Sequence, residues 1–196
     1  MKEFSITGTV REGLGKKATR ELRKQDIVPC NIYGVEKNDN GPVAVAFTVP
    51  MTDLRKLIYT PNVYIVNLNL NGKEVKAIIK EIQFHPTSDK VLHVDFYQIT
   101  EDKDIVIGVP VKLNGLAEGV RAGGRLNLSI RTIKVKAKYT AIPDVLDIDV
   151  TPLQIGKSIK VGQLQFEGLQ FATSPEVVVC SIKATRKSIQ AANAQA

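Results

Sequence analysis

Alternation of polar and apolar residues is the feature that most limits the fold of this chain. In FSITGTV, the apolar Phe4 and Ile6 alternate with hydroxyl-bearing side chains, which is the two-residue period of a β-strand. Four further segments of the first half show the same period: PVAVAFTV, NVYIVNLNL, KEVKAIIKEIQF and KVLHVDFYQI. Asn71-Gly72, between the second and third of these, predicts a tight two-residue hairpin turn. A fold built largely from β-strands is therefore expected.

Two short segments of the first half have helical character instead. Residues 16–25, KKATRELRKQ, have a helix-forming composition. The segment PMTDLRKLI begins with a proline, which is common in a first helical turn, and its apolar residues have helical spacing. Several strands with two small helices in about 100 residues predict a compact, barrel-like module.

A polar break at ITEDKDI, residues 99–105, predicts a domain boundary. Beyond it, segments such as IRTIKVKAKY and EVVVCSIK alternate again, and no long helical pattern interrupts them. We therefore expect a mostly β protein with two short helices: a β-barrel-like domain at 1–100 and an all-β domain at 101–185. The small, polar residues 186–196 predict a disordered tail.

Composition narrows the class of protein. Hydrophobic residues make up 43% of the 196 residues, enough for a folded core, and the formal net charge of +7 favours acidic partners. No apolar run approaches the length of a membrane span, and MKEFSITGTV lacks the apolar core of a signal peptide. Cys30 and Cys180, far apart in the chain, predict buried reduced thiols. A soluble cytoplasmic protein is expected.

The stretch QFHPTSDKVLHVDF, residues 83–96, contains both histidines of the chain. If its second half is a strand, Leu92, Val94 and Phe96 face the core, and His93 and Asp95 project together from the other face. This alternation excludes a core histidine.

Several kinds of site are compatible with such a pair. A metal site needs three or four ligands, but no cysteine lies nearby and the spacing matches no zinc pattern. A catalytic base needs a nucleophile motif, which is absent, and GKS at 156–158 lacks the upstream glycine of a phosphate loop. An ordinary solvated strand face and a polar surface that recognises nucleic acid both remain open.

A basic segment lies far upstream of the histidines. Six basic and two acidic residues fall between Arg11 and Lys24. On the predicted helix the cationic side chains share one stripe, formed by Lys16, Arg20, Arg23 and Lys24. Such a stripe suits phosphate contacts, although surface helices also carry lysine and arginine for solubility alone.

A second basic stretch, residues 121–138, has six basic residues and no acidic one. The alternation in TIKVKAKY places Lys134, Lys136 and Lys138 on one strand face. This face is either an accessory phosphate-facing surface or an edge strand that its lysines protect against aggregation.

Taken together, these segments resemble a known family. REGLGKKATRELRKQDIVPCNIYG and IQFHPTSDKVLHVDFYQI resemble bacterial large-subunit ribosomal protein twenty-five, in its two-domain form, the general stress protein Ctc family. VPVKLNGLAEGVRAGGRLN and IPDVLDIDVTPLQIGKSIKV are similar to the C-terminal β domain of that family. The resemblance covers roughly residues 3–183.

The resemblance implies that the N-terminal domain binds an internal loop of 5S ribosomal RNA. Eight positions match the RNA-contacting positions of the family: Arg11, Lys16, Thr19, Arg20, Arg23, Tyr33, His93 and Asp95. Gln83 and His85 are not assigned, and His85 could instead shape the turn before Pro86. Glu21 and Phe84 stand where relatives often have basic residues, which removes positive charge from the contact face.

The expected role is a structural component of the large ribosomal subunit, in contact with 5S ribosomal RNA and neighbouring ribosomal proteins. No enzymatic activity, cofactor, metal, small-molecule substrate or membrane is expected. The alternative is a stress-related protein- or RNA-interaction module that is not permanently bound to the ribosome.

Overall fold

The computed structural model describes residues 2–34, 37–38, 41–60, 62–100 and 103–186. The predicted tail at 186–196 lies outside these residues, apart from Arg186. Two compact units divide the chain between Lys103 and Asp104.

In the residues that the structure describes, the first unit has eight strands and two helices. In chain order they are β1 (Lys2–Val10), α1 (Lys16–Lys24), β2 (Ile27–Tyr33), β3 (Lys37–Asn38), β4 (Gly41–Pro42), β5 (Val45–Pro50), α2 (Met51–Ile58), β6 (Tyr64–Leu70), β7 (Lys73–Phe84) and β8 (Val91–Gln98). Six of the strands close into a barrel in the order β1-β5-β2-β8-β7-β6. The barrel and both helices of the sequence prediction are thereby confirmed.

The barrel joins strands that are distant in the chain. β1 pairs in parallel with β6, and β2 pairs in parallel with β8, whereas the other neighbours are antiparallel. β6 and β7 form the predicted hairpin, in which Asn71 and Gly72 have φ angles of 50° and 88°. Positive φ at both turn residues is what a two-residue hairpin of this type requires.

Two aromatic rings form the centre of the barrel core. The centroids of Phe47 and Phe96 lie 5.6 Å apart, and both side chains are fully buried. Gly8 makes room for the first ring, because a Cβ atom there would lie 2.7 Å from Phe47 Cδ2 and 2.9 Å from Leu70 Cδ2. Leu54, on the buried face of α2, belongs to the same core.

One detail of the predicted strand pattern is wrong. The register between β7 and β8 shifts, so that Gln83 pairs with His93 while the next residue, Phe84, pairs with Val91. Leu92 is therefore a bulge, and it is not part of the barrel core, whereas Val91 is buried there. Alternation alone cannot reveal an extra residue in one strand, because the bulge depends on the partner strand.

The second unit is also built mainly from strands. Its elements are β9 (Ile105–Asn114), α3 (Glu118–Arg121), β10 (Arg125–Leu128), β11 (Thr132–Ala137), β12 (Leu146–Asp149), β13 (Ser158–Lys160), a 3₁₀ turn (Val161–Gln163), β14 (Gln170–Phe171) and β15 (Val178–Lys183). They form a four-stranded sheet, β12-β9-β11-β14, and a three-stranded sheet, β10-β15-β13.

Helix α3 is an addition to the two helices expected from the sequence. It is a single turn, in which the Arg121 and Ala122 amides donate to the carbonyl oxygens of Ala117 and Glu118. Gly119 lies so close to the chain at Ile155 that a Cβ atom would lie 2.6 Å from the backbone nitrogen of that residue. The glycines of this segment suggest turns in the sequence, but here one of them allows a helical turn to pack closely.

The basic strand of the second unit is not at an edge. β11 pairs with β9 on one side and with β14 on the other. Lys134 and Lys136 are exposed on its outer face, while Ile133 and Val135 are buried. The predicted alternation along β11 is confirmed. Because β11 has a partner strand on each side, its lysines do not serve to protect a sheet edge against aggregation.

Candidate nucleic-acid interface

Three adjacent barrel strands, β2, β8 and β7, present polar side chains on their outer surface. Val94 and Phe96 of β8 are fully buried, so the alternate residues His93 and Asp95 face outward, as the alternation predicts. We call this surface the strand face. Its members are Asn31, Tyr33, Glu81, Gln83, His93, Asp95 and Tyr97.

The strand register brings these side chains together. Parallel pairing of β2 with β8 sets Asn31 beside Asp95 and Tyr33 beside Tyr97. On the other side of β8, Gln83 lies opposite His93. Sequence reasoning missed Asn31, because a parallel pairing across more than sixty residues leaves no local pattern.

His93 and Asp95 form a partly covered pair at the centre of this face. His93 Nδ1 lies 3.1 Å from Asp95 Oδ1, and the two side chains are 17% and 23% exposed. Since a carboxylate accepts hydrogen bonds, Nδ1 is the nitrogen that donates. The sequence predicts that both side chains lie on the outer face of the strand. The structure shows in addition that they contact each other and that most of their surface is shielded from solvent.

The pKa of His93 is lowered from its ordinary value. Burial is the largest cause, and the positive charges of Arg11 and Arg23 act in the same direction, while Asp95 opposes them. The imidazole is therefore neutral near pH 7. With Nδ1–H directed to Asp95, Nε2 is a hydrogen-bond acceptor, as recognition of a hydroxyl or amino group requires.

Arg11 supplies a partly buried positive charge next to this pair. It follows β1 directly, and its backbone amide donates to the Ala46 carbonyl oxygen at 3.1 Å. Its Nε and Nη1 atoms are buried without a hydrogen-bond partner in the part of the chain that the structure describes. Its charge also lowers the pKa of the neighbouring Cys30 thiol, although burial dominates and raises that pKa to about 12.

Arg23 connects helix α1 to the strand face. Its Nε donates to the Leu92 carbonyl oxygen at 3.0 Å. The bulge at Leu92 therefore provides the acceptor that orients this side chain. Lys16 and Arg20 lie on the same helix and are exposed, as a phosphate-contacting stripe needs.

Thr19 has a structural role in the first turn of α1. Its hydroxyl lies 3.0 Å from the Gly15 carbonyl oxygen and 3.1 Å from that of Lys16, and it donates to this pair of acceptors. Its proton is thus engaged within the helix, so toward a ligand the Thr19 oxygen acts as an acceptor.

Tyr33 extends the strand face at the far end of β2. Its ring packs edge-to-face on Tyr97, with centroids 6.0 Å apart. Burial, and the negative charges of Asp95 and Glu81, raise the pKa of Tyr33. The hydroxyl therefore keeps its proton at neutral pH and is available as a donor.

His85 shapes the turn that follows β7. Its Nδ1 accepts from the Ser88 amide at 3.3 Å and from the Thr87 amide at 3.4 Å. Its own amide donates to the Lys90 carbonyl oxygen at 2.8 Å. Of the two unassigned residues, His85 thus holds a turn, while Gln83 is exposed on the strand face.

Within the described residues, no group of three or more His, Cys, Asp and Glu side chains is arranged to hold a metal ion. No helix in that part of the chain is long and apolar enough to cross a membrane.

Comparisons with known proteins identify the family. A model described as the Ribosomal L25p family matches residues 6–96, and one described as the C-terminal domain of ribosomal protein TL5 matches residues 104–186. The large ribosomal subunit protein bL25 of Phocaeicola vulgatus is 58% identical over 193 residues, 98% of each chain. The bL25 of Bacteroides thetaiotaomicron is 49% identical over 199 residues, 99% of this chain and 98% of the relative. That of Porphyromonas gingivalis is 48% identical over 98% of each chain. The chain belongs to the ribosomal L25p family, in the two-domain form that also carries a TL5 C-terminal domain.

Proposed function

We propose that this chain is a structural component of the large ribosomal subunit and binds an internal loop of 5S ribosomal RNA. The ribosomal assignment is supported by relatives of high identity that are named as large-subunit proteins. It implies a cytoplasmic, ribosome-associated protein. The contact surface consists of the strand face together with Arg11 and the exposed side of α1.

The observation that carries the RNA contact is the environment of Arg11. Two of its three guanidinium nitrogens, Nε and Nη1, are buried without hydrogen-bond partners, which is costly because their lost hydration is not replaced. Arg23 adds a second positive charge near the same histidine. A phosphate group placed beside this guanidinium supplies the opposite charge, which offsets part of that cost, and RNA carries such groups at regular spacing.

The neighbouring polar groups provide the selectivity. His93 Nε2 accepts, the Tyr33 hydroxyl donates, and Asp95 accepts, so this surface matches base edges and 2′-hydroxyl groups. An internal loop with non-standard base pairs exposes such groups, which the deep, narrow major groove of a regular RNA helix hides. Arg20 and Lys16 add phosphate contacts that position the complex.

The proposed action is binding without chemistry, by residues 1–100, and residues 101–185 form a second β domain. The shared name of the relatives supports a ribosomal role over a stress-related module that is not permanently bound.

The test is binding of the full chain to 5S ribosomal RNA over a salt series. Arg20→Ala/Arg23→Ala should weaken binding and reduce the dependence of log affinity on log salt by about two, or about one for each lost phosphate contact. His93→Ala should weaken binding with little change in that dependence. Lys2→Ala/Lys56→Ala removes two exposed charges outside the interface and serves as the matched control.

Equal affinity for 5S ribosomal RNA and for an unrelated RNA duplex, unchanged in His93→Ala, contradicts recognition by the strand face. Absence of binding to any RNA contradicts the proposed function as a whole.

A further inference from the structure

A groove with a cavity volume of about 600 Å³ lies beside the strand face. It is bounded by the end of α1, by α2 and by the turn between β7 and β8. Val28 and Val91, both buried core residues, line its floor together with Met51 and Leu92. The bulge that removes Leu92 from the core therefore helps to build this groove.

Charges of both signs surround the apolar floor. Arg23, Arg55 and Lys90 provide the positive charges, and Asp26 and Asp89 the negative ones. Lys90 Nζ lies 3.9 Å from Asp26 Oδ1, and both side chains are well exposed, so this ion pair is weak and exchanges readily with other partners.

An aromatic ring stands at the mouth of the groove. Tyr59 is 56% exposed, which is unusual for so large a side chain. Its hydroxyl donates to the Asp89 carbonyl oxygen at 3.4 Å, which orients the ring relative to the turn. An oriented and exposed aromatic ring is a surface on which a nucleobase can stack.

We propose that this groove binds one unstacked nucleotide of the RNA held on the strand face, an inference that rests on the proposed function. The base stacks on Tyr59 over the apolar floor, and its amino groups donate to Asp26 or Asp89. Arg55 and the terminal nitrogens of Arg23 contact the flanking phosphates.

Two observations favour a nucleotide over a segment of protein. The groove adjoins the proposed RNA surface, since Arg23 belongs to both and bonds the carbonyl oxygen of Leu92, a groove residue that directly precedes His93 of the strand face. A nucleotide also matches the groove in three ways. Its phosphate is attracted by the cations, its flat base stacks on the Tyr59 ring, and its amino groups donate to the carboxylates. An acidic peptide supplies the negative charge but not the flat face that stacks on Tyr59.

The test compares four variants in binding to 5S ribosomal RNA over a salt series. Tyr59→Ala should weaken binding about tenfold without changing the salt dependence, because the lost contact is uncharged. Tyr59→Phe keeps the ring and should bind nearly as tightly as the parent. Arg55→Ala should weaken binding and lower the salt dependence by about one, whereas Lys56→Ala, on the neighbouring residue outside the groove, should do neither.

Ultraviolet cross-linking of the parent complex, followed by mass spectrometry, gives an independent readout. A nucleotide cross-linked within the peptide that contains Tyr59 is the expected result. If the parent binds and Arg20→Ala/Arg23→Ala weakens it, but both Tyr59→Ala and Arg55→Ala bind like the parent, the groove does not hold RNA, and a protein segment remains its candidate occupant. If the parent itself does not bind, the proposed function fails first, so the two failures are distinguishable.

Discussion

Arg23 Nε donates to the Leu92 carbonyl oxygen at 3.0 Å, and this bond joins helix α1 to the bulge in β8. It fixes one side of the guanidinium group while its positive charge acts on the adjacent His93. The bulge thus has two effects, since it turns Leu92 out of the core and directs a backbone acceptor toward the helix. This contact ties the cationic stripe of α1 to the strand face.

Arg23→Lys keeps the positive charge but removes the planar guanidinium group. That group bonds the Leu92 carbonyl oxygen through Nε and leaves its terminal nitrogens free to donate to RNA. Affinity for 5S ribosomal RNA should fall about tenfold, because an oriented charge-assisted contact is replaced by a flexible one. Binding measured by fluorescence anisotropy checks this. Arg20→Lys, at an exposed position, is the control and should change affinity by less than threefold or so. An equal effect of the two substitutions would mean that the bond to Leu92 is unimportant.

The titration of His93 should show its environment directly. Its pKa in the folded protein lies below the ordinary value of 6.5, because burial and two arginines oppose protonation. As pH falls below 6.5, the unfolded chain takes up a proton before the folded one does, so stability decreases until the folded pKa is passed. NMR titration of the imidazole should give a midpoint below 6.5, and a midpoint above 6.5 would contradict the effect of this environment on the pKa of His93.

Removing the Asp95 charge should shift that titration further. The negative charge of Asp95 raises the pKa of His93, against the effects of burial and the two arginines. In Asp95→Asn the midpoint should therefore fall below that of the parent, and Nδ1–H should lose its charged acceptor.

Binding to RNA should weaken in Asp95→Ala, since both the carboxylate and the fixed tautomer are lost. Binding by Asp95→Ala as tight as that of the parent would show that the carboxylate takes no part.

Gly8→Ala should destabilise the first unit by about 1–3 kcal/mol, because the new Cβ atom meets the Phe47 ring and the Leu70 side chain in a filled core. Gly108→Ala is a matched control in a strand of the second unit, where the nearest atom is Thr132 Cβ at 3.9 Å. It should be neutral or slightly stabilising, because alanine restricts the unfolded chain more than glycine does. Urea unfolding of each variant measures the difference, and equal losses would show that the Phe47 contact is not responsible.

Cys30 should resist alkylation in the folded protein. Its side chain is fully buried, and its pKa is raised to about 12, chiefly by burial, so the reactive thiolate is scarce at neutral pH. Iodoacetamide should modify the thiol only after denaturation, as mass spectrometry of the two conditions will show. Rapid labelling of the native chain at Cys30 would mean that the barrel opens.

Much of the barrel and part of the interface can be predicted from local sequence. Asn71-Gly72 marks its hairpin turn, because few residues other than asparagine and glycine adopt positive φ readily. Val94 and Phe96 are apolar at alternate positions, so His93 and Asp95 must point away from the core. The helical stripe of α1 follows from its spacing in the same way.

Only the tertiary structure decided how these pieces meet. The parallel pairing of β2 with β8 sets Tyr33 and Asn31 beside the His93 strand, and the bulge at Leu92 exists only against its partner β7. The burial of Arg11 and the groove beneath Tyr59 likewise depend on residues distant in the chain. Away from bulges, a side chain's direction is set by the period of its own strand, which can be read from the sequence. Its neighbours, its burial and its pKa are set by long-range packing, for which a single sequence carries no local pattern.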